Sequence, residues 1–212
     1  MIKKHFKTLI LTSVITLLPI VAGLILWDKL PEQMPMHFNI EGEADGYASK
    51  AFAVLGFPVI MVALQWLCAF LTDFDPKMKN SGKKQTVLVL WIIPAISLLL
   101  HTIIYAYALG KEFNTIAPII LFFGLFFVII GNYLPKMSQS YTVGIKFPWT
   151  LKSEANWNYT HRVSGKVWVA GGLFLMATSF LNLVWLYLAI FAIMLAVPII
   201  ASYRFHKKEN KA

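Results

Sequence analysis

The chain has 212 residues, 58% of them hydrophobic and only 14% charged, with a mean hydropathy of +0.66. A soluble domain of this length is about half apolar and a quarter charged, so the composition excludes an ordinary water-soluble domain and makes lipid the main solvent. The net charge of +9 collects in the connections between apolar stretches rather than on a folded basic domain, which excludes a direct nucleic-acid partner.

Four stretches carry no Asp, Glu, Lys or Arg over about 20 residues, the length needed to cross a bilayer core: Thr8–Trp27, Phe52–Leu71, Thr86–Leu109 and Thr115–Leu134. The first follows a basic segment with Lys3, Lys4 and Lys7. It reaches Trp27-Asp28-Lys29 without a small-x-small cleavage pattern, so it reads as an uncleaved helix. The fifth apolar stretch, Val167–Ser202, is too long for one crossing at about 1.5 Å rise per residue. It must turn back, and Leu181-Asn182-Leu183 is the break, because Asn tolerates the left-handed conformation that a tight turn needs. The expected fold class is all-α, a polytopic membrane protein of six transmembrane helices.

Lysine and arginine orient it, since cytoplasmic flanks hold the positive excess. Lys3, Lys4, Lys7, Lys77, Lys79, Lys83, Lys84, Lys136, Lys146, Lys152, Arg162, Lys166, Arg204, Lys207, Lys208 and Lys211 fall on one side, against only Lys29, Lys50 and Lys111 on the other. Both termini are therefore expected in the cytoplasm of a bacterial cell membrane, with the basic face against anionic membrane lipids. Cys68 is the only cysteine and lies inside the second span, where a packing role is expected.

Two connections are too long and too patterned for simple turns. The external one, Asp28–Ala51, contains Pro31, Pro35, His37, Phe38, Gly42, Asp45, Gly46, Tyr47 and Lys50. The prolines bias the backbone toward extension and predict a stiff strand-like arm, while Met34, Met36 and Phe38 alternate with Pro35 and His37 to give it one apolar face. Gly42 and Asp45-Gly46 mark turns. His37 with Glu41, Glu43 and Asp45 has no recognised ligand spacing, and neither metal nor cofactor is expected. A folded lid and an acidic surface that draws in a cationic peptide both fit.

The internal connection, Pro135–Gly165, contains Lys136, Gly144, Lys146, Pro148, Trp149, Thr150, Trp157, His161 and Arg162. Ser153 is a helix cap with Glu154 in the first turn. Beyond it Trp157, His161, Ser164 and Trp168 share one face, which predicts an amphipathic helix along the membrane surface before the fifth span. Trp149, Trp157 and His161 read either as a partner-docking surface or as interfacial anchors. Within the spans, His101 is the one deep ionisable side chain. It is either packed against Ser97 and Tyr105 or active toward a proton or ligand. Gly124 and Gly131, seven apart, predict a close helix contact.

The external Pro31-x-x-x-Pro35-x-His37-Phe38 arm with Gly42, Asp45, Tyr47 and Lys50 resembles the membrane domain called domain of unknown function 1648. The stretch Gly131-Asn132-Tyr133-Leu134-Pro135-Lys136, then Gly144-Ile145, Pro148-Trp149-Thr150-Leu151, Trp157, His161-Arg162 and Gly165-Lys166, resembles the SdpI family. On this basis residues 1–75 form an N-terminal domain of two helices with an external Pro/His loop, and residues 76–212 an SdpI-like domain of four helices with a Trp-rich loop. The resemblance implies an immunity protein against a secreted peptide toxin of the sporulation-delay type, and a receptor that holds a small DNA-binding repressor at the membrane. It also implies that Pro31, Pro35, His37, Phe38, Gly42, Asp45, Tyr47 and Lys50 face the toxin. Asn132, Pro135, Lys136, Gly144, Lys146, Pro148, Trp149, Thr150, Trp157, His161 and Arg162 then form the cytoplasmic docking motif. Lys146 stands where the family has Arg, and Gln139-Ser140 where it has Asn, so those two contacts must differ. The alternative is a small-solute transporter, which requires polar groups along a path. An enzyme would need converging catalytic groups on one face, and neither loop supplies them.

Overall fold

The computed structural model describes residues 2–77, 83–111 and 114–210. Lys79 and Lys211 of the charge map, and the side chains of Lys83 and Lys84, lie outside the described residues. In chain order the elements are α1 (Ile2–Ile25), β1 (Gln33–Phe38), β2 (Ala44–Ser49), a π-helix (Phe52–Gly56) running into α2 (Phe57–Asp73), α3 (Lys83–Ala108), α4 (Ile116–Tyr133), α5 (Pro148–Lys152), α6 (Glu154–Thr178) and α7 (Val184–Glu209). Among the described residues six helices are long and apolar enough to cross a membrane, and the chain is a multi-pass membrane protein. Large apolar side chains point outward along them, among them Leu11, Val14, Val21, Phe70, Leu188 and Leu195, as lipid-facing surfaces require.

The helices cluster into two compact units. One runs through Asp73 and adds Thr86–Ile116; the other holds Phe74–Gln85 and Ala117 onward. The third span thus packs with the first two.

In the first unit the apolar helices are joined by a polar seam. Gln65 of α2 donates to Thr12 Oγ1 (2.6 Å) and accepts from Thr16 Oγ1 (3.1 Å), both on α1. Ser97 of α3 donates to the Thr16 carbonyl (3.2 Å), and Tyr105 to the Pro19 carbonyl (3.0 Å). In lipid such bonds hold helices together because there is no water to compete, each worth about 0.6 kcal/mol. His101 belongs to this seam. Its Nδ1 donates to the Ser97 carbonyl (2.8 Å), its ring lies 5.2 Å from Phe57 and 5.8 Å from Tyr105, and Nε2 has no hydrogen-bond partner among the described residues. Cys68 is exposed rather than packed inward.

In the second unit two glycine pairs let helix backbones touch. A Cβ on Gly165 would lie 2.6 Å from the Gly131 carbonyl oxygen, and one on Gly172 would lie 2.5 Å from that of Gly124. The seven-residue spacing on α4 is matched on α6. Nearby, Phe123 packs edge to face with Phe191 and Phe127 with Trp168, and Phe127 also meets Phe191 at a tilt. The turn at residue 182 is where the sequence puts it: Asn182 has φ 52° and ψ 34°, between the turn Ser179–Leu181 and α7.

Two further expectations need correction. Residues 154–178 form one continuous helix, so the segment with Trp157 and His161 is the first half of α6 and not a separate surface helix. Its marked face is buried in protein, with Trp157 0%, His161 1% and Ser164 0% exposed. Asp45-Gly46 is not a turn but part of β2.

Candidate functional site

Two built regions stand out, one in each unit. The first is the hairpin of β1 and β2. Pro31 and Pro35 pre-extend the arm; Pro35 is tolerated because the sheet has only two strands, and the register slips between Pro35 and His37 where an N–H is missing. Asn39 makes the turn. Its Oδ1 accepts from the backbone N–H of Glu41 (3.0 Å) and Glu43 (2.9 Å), and Gly42 takes φ +84°. This closes the chain ahead of Asp45-Gly46, and leaves Gly46 as the small residue across from His37, whose Cβ would be 2.9 Å from one added there.

Burial alternates with period two along β2, while in β1 the irregular register at Pro35–Phe38 breaks the alternation and buries Met34 and Pro35 side by side. Underneath, Met34 is fully buried with Leu30, Ala53, Val54, Ile104 and Tyr105. Phe38 sits edge-on against Tyr107 at 5.1 Å, and Thr115 donates to the Gly42 carbonyl (2.6 Å). Pro35 and Lys50 are buried too. Lys50 clasps the hairpin base, with Nζ 2.9 Å from Glu32, 3.2 Å from the Trp27 carbonyl and 5.3 Å from the Trp27 ring centroid. On the outer face Pro31, His37, Asp45 and Tyr47 are exposed, with Ile40, Glu41 and Glu43 beside them. His37 Nδ1 pairs with the Asp45 carboxylate, and Tyr47 donates to the Ala44 carbonyl.

The second region is a lobe of residues 136–153 seated on the start of α6. Trp157 donates from Nε1 to the Met137 carbonyl (2.8 Å). His161 stacks on it at 4.0 Å, donates from Nδ1 to the Trp157 carbonyl (2.9 Å) and accepts at Nε2 from the Ile145 N–H (3.1 Å). Both ring nitrogens are thereby used, which fixes one neutral tautomer. Gly144, at φ +117°, lies so close to these rings that a Cβ would meet Trp157 at 2.6 Å. Thr150 is fully buried and bonds at its hydroxyl to the Phe147 N–H (2.8 Å). Trp149 stacks between Phe147 (5.3 Å) and His206 (5.6 Å) and donates to Ser202 Oγ (3.1 Å), tying the lobe to the end of α7. Ser153 caps α6, accepting from the Asn156 N–H (3.0 Å). Asn132, Pro135, Lys136, Lys146, Pro148 and Arg162 are exposed around this frame. Lys146 Nζ donates to the Tyr141 (3.1 Å) and Thr142 (3.0 Å) carbonyls, closing its own loop as a point charge.

Two residues that carry much of this geometry were not singled out by sequence. Asp75, 3% exposed, accepts from Ser140 Oγ (2.6 Å), Tyr141 N–H (2.7 Å), Thr142 N–H (3.0 Å), Thr142 Oγ1 (3.0 Å) and Lys77 N–H (2.9 Å). Burial alone would raise its pKa, but the hydrogen bonds from Ser140, Thr142 and Lys77 outweigh it and hold the carboxyl below the ordinary aspartate value. Lys77 donates from Nζ to Gln139 Oε1 (2.7 Å) and the Leu151 carbonyl (3.0 Å), and Gln139 Nε2 donates to the Thr150 carbonyl (2.7 Å). The signal was present: among residues 74–85 Asp75 is the one acid in a run of lysines.

Comparison with known proteins separates the two regions in the same way. Residues 14–62, which contain the whole hairpin, match a domain of unknown function, DUF1648. Residues 136–202, from the first residue of the lobe to the serine that Trp149 contacts, match the SdpI/YfhL protein family. The chain is also 29% identical to Immunity protein SdpI of Bacillus subtilis (strain 168) over 211 residues, 96% of this chain and 98% of that protein. No solved structure matches the chain. The SdpI segment takes in the lobe contacts described above except those made by Asp75, Lys77 and His206, which fall outside both matched segments.

Proposed function

We propose that the chain is an immunity protein of the bacterial cell membrane that protects the producing cell from a secreted peptide toxin, with the hairpin outside the cell and the lobe and both termini in the cytoplasm. The near full-length likeness to an immunity protein carries this reading, and the sixteen-to-three distribution of basic residues supports the orientation.

On this reading the outer face of the hairpin meets the toxin. His37, Asp45 and Tyr47 stand exposed on a two-stranded support, with Glu32, Glu41 and Glu43 exposed beside them. Such a surface suits a cationic peptide with apolar side chains: the carboxylates steer the approach and the tyrosine supplies contact area. Phe38, Pro35 and Lys50 act from below by holding that face in place. The lobe is the docking face for a small DNA-binding repressor. Contact falls to its exposed cations Lys136, Lys146 and Arg162 and to Tyr141, while Thr150, Trp157 and His161 maintain the shape. Signalling then requires that toxin bind one arrangement of the protein more tightly than another.

The test is expression in a strain sensitive to a purified sporulation-delay-type peptide. Survival that is retained by the intact chain and lost when His37, Asp45 and Tyr47 are all replaced by Ala, at equal membrane abundance, is the expected result. Unchanged killing in the presence of the intact, membrane-inserted chain would remove the immunity assignment.

A further inference from the structure

The Asp75 carboxylate is held in an unusual way for a loop acid. Four of its five hydrogen bonds converge on a single oxygen, Oδ2, and all four come from residues 140–142: two hydroxyls and two successive backbone N–H groups. Successive N–H groups aimed at one point form a concavity that binds anions whatever their source. Ser140 strengthens it from within, its Oγ accepting from the Thr142 (3.1 Å) and Val143 (3.0 Å) N–H groups. The occupant arrives from elsewhere in the chain, 65 residues upstream of Ser140, on the short connector that leaves α2 at Asp73. Lys77 on the same connector grips both ends of the lobe, at Gln139 and Leu151, and lies 4.9 Å over the Tyr141 ring.

We propose that residues 140–142 form a carboxylate-binding nest filled in cis by Asp75, and that Asp75 is the positioning residue that fixes the exposed loop of the lobe, Tyr141 to Lys146. The loop has little else to hold it at that end. Lys146 bonds to carbonyls of the same loop, and the contacts from α6 begin at Gly144 and Ile145. An empty nest would leave the Tyr141 N–H and the Ser140 hydroxyl without the carboxylate and the Thr142 N–H with Ser140 Oγ alone, and the loop would open to water to satisfy them.

A nest is distinguished from a mere packing contact by chemical rescue. The full-length chain, purified into lipid nanodiscs, is compared with Asp75→Ala and Asp75→Asn by backbone hydrogen exchange of the peptide covering 140–146, with sodium formate or sodium chloride at equal ionic strength. The expected result is an increase in exchange of about tenfold or more in Asp75→Ala, reversed by formate and not by chloride. Asp75→Asn, which keeps the volume and one oxygen acceptor, should fall between. Unchanged exchange in both variants would overturn the proposal, as would faster exchange that formate does not reduce. If the alanine variant does not yield folded protein, a protected loop in Asp75→Asn overturns it, and an exchanging loop that formate slows supports it. None of these readouts involves toxin or repressor, so the result stands apart from the functional assignment.

Discussion

The hairpin and the lobe spend their polar side chains in opposite ways. In the hairpin His37, Asp45 and Tyr47 stay exposed, bonding within the hairpin itself, above an apolar underside built on Met34 and Phe38. In the lobe the polar groups turn inward: His161 uses both ring nitrogens, Thr150 closes the turn at Phe147, and the Asp75 carboxylate accepts five hydrogen bonds. A motif residue in a strand is thus half free to bind, whereas one in an irregular segment is first needed to satisfy backbone groups that no helix or sheet provides for. Substitutions should therefore behave differently in the two regions.

The largest effect is expected inside the lobe. Trp157→Ala removes a fully buried indole, the bond to Met137 and the stack with His161, and should cost about 3–5 kcal/mol. Thermal unfolding in detergent reads it, and a variant as stable as the parent would mean that the lobe does not depend on this ring. Next comes Met34→Ala, which empties the plug beneath the hairpin at a cost of about 2 kcal/mol. Protease sensitivity confined to residues 30–50 is the signature; global unfolding instead would show that hairpin and helices melt together.

Acid sharpens the contrast further. The Asp75 pKa is depressed in the folded state, so its contribution is complete above the ordinary aspartate range and is lost as pH falls through the lowered value. Exchange protection of residues 140–146 should hold at mildly acidic pH and fail only below that range, and Asp75→Asn should flatten the profile. The smallest stability change belongs to the outer face of the hairpin: His37→Ala, Asp45→Ala and Tyr47→Ala should each lie within about 0.5 kcal/mol of the parent. A larger loss would show that the His37–Asp45 pair is a structural clasp rather than a free surface.

Much of this was legible in the sequence because it rests on local rules. Charge-free length marks the spans, Asn182 the reversal between α6 and α7, Ser153 the start of α6, and the paired prolines the extended arm. What escaped depends on partners far along the chain. The turn at Asn39 outcompeted Asp45-Gly46 because its side chain accepts two N–H groups at once. Asn156, Thr160, His161 and Ser164 look like the wet side of a surface helix, yet they are buried, with Asn156 reaching the Ser202 carbonyl (3.1 Å). Asp75 finds its nest 65 residues away, and no periodicity reports such a pairing.

The whole contrast presumes that the hairpin faces the outside of the cell and the lobe the cytoplasm. Cysteine labelling of intact cells tests this directly, in a Cys68→Ser background that removes the one native thiol. Tyr47→Cys should react with a membrane-impermeant maleimide added to whole cells, and Lys146→Cys only after the membrane is permeabilised. Labelling of both positions in intact cells, or of Lys146→Cys alone, would contradict the account.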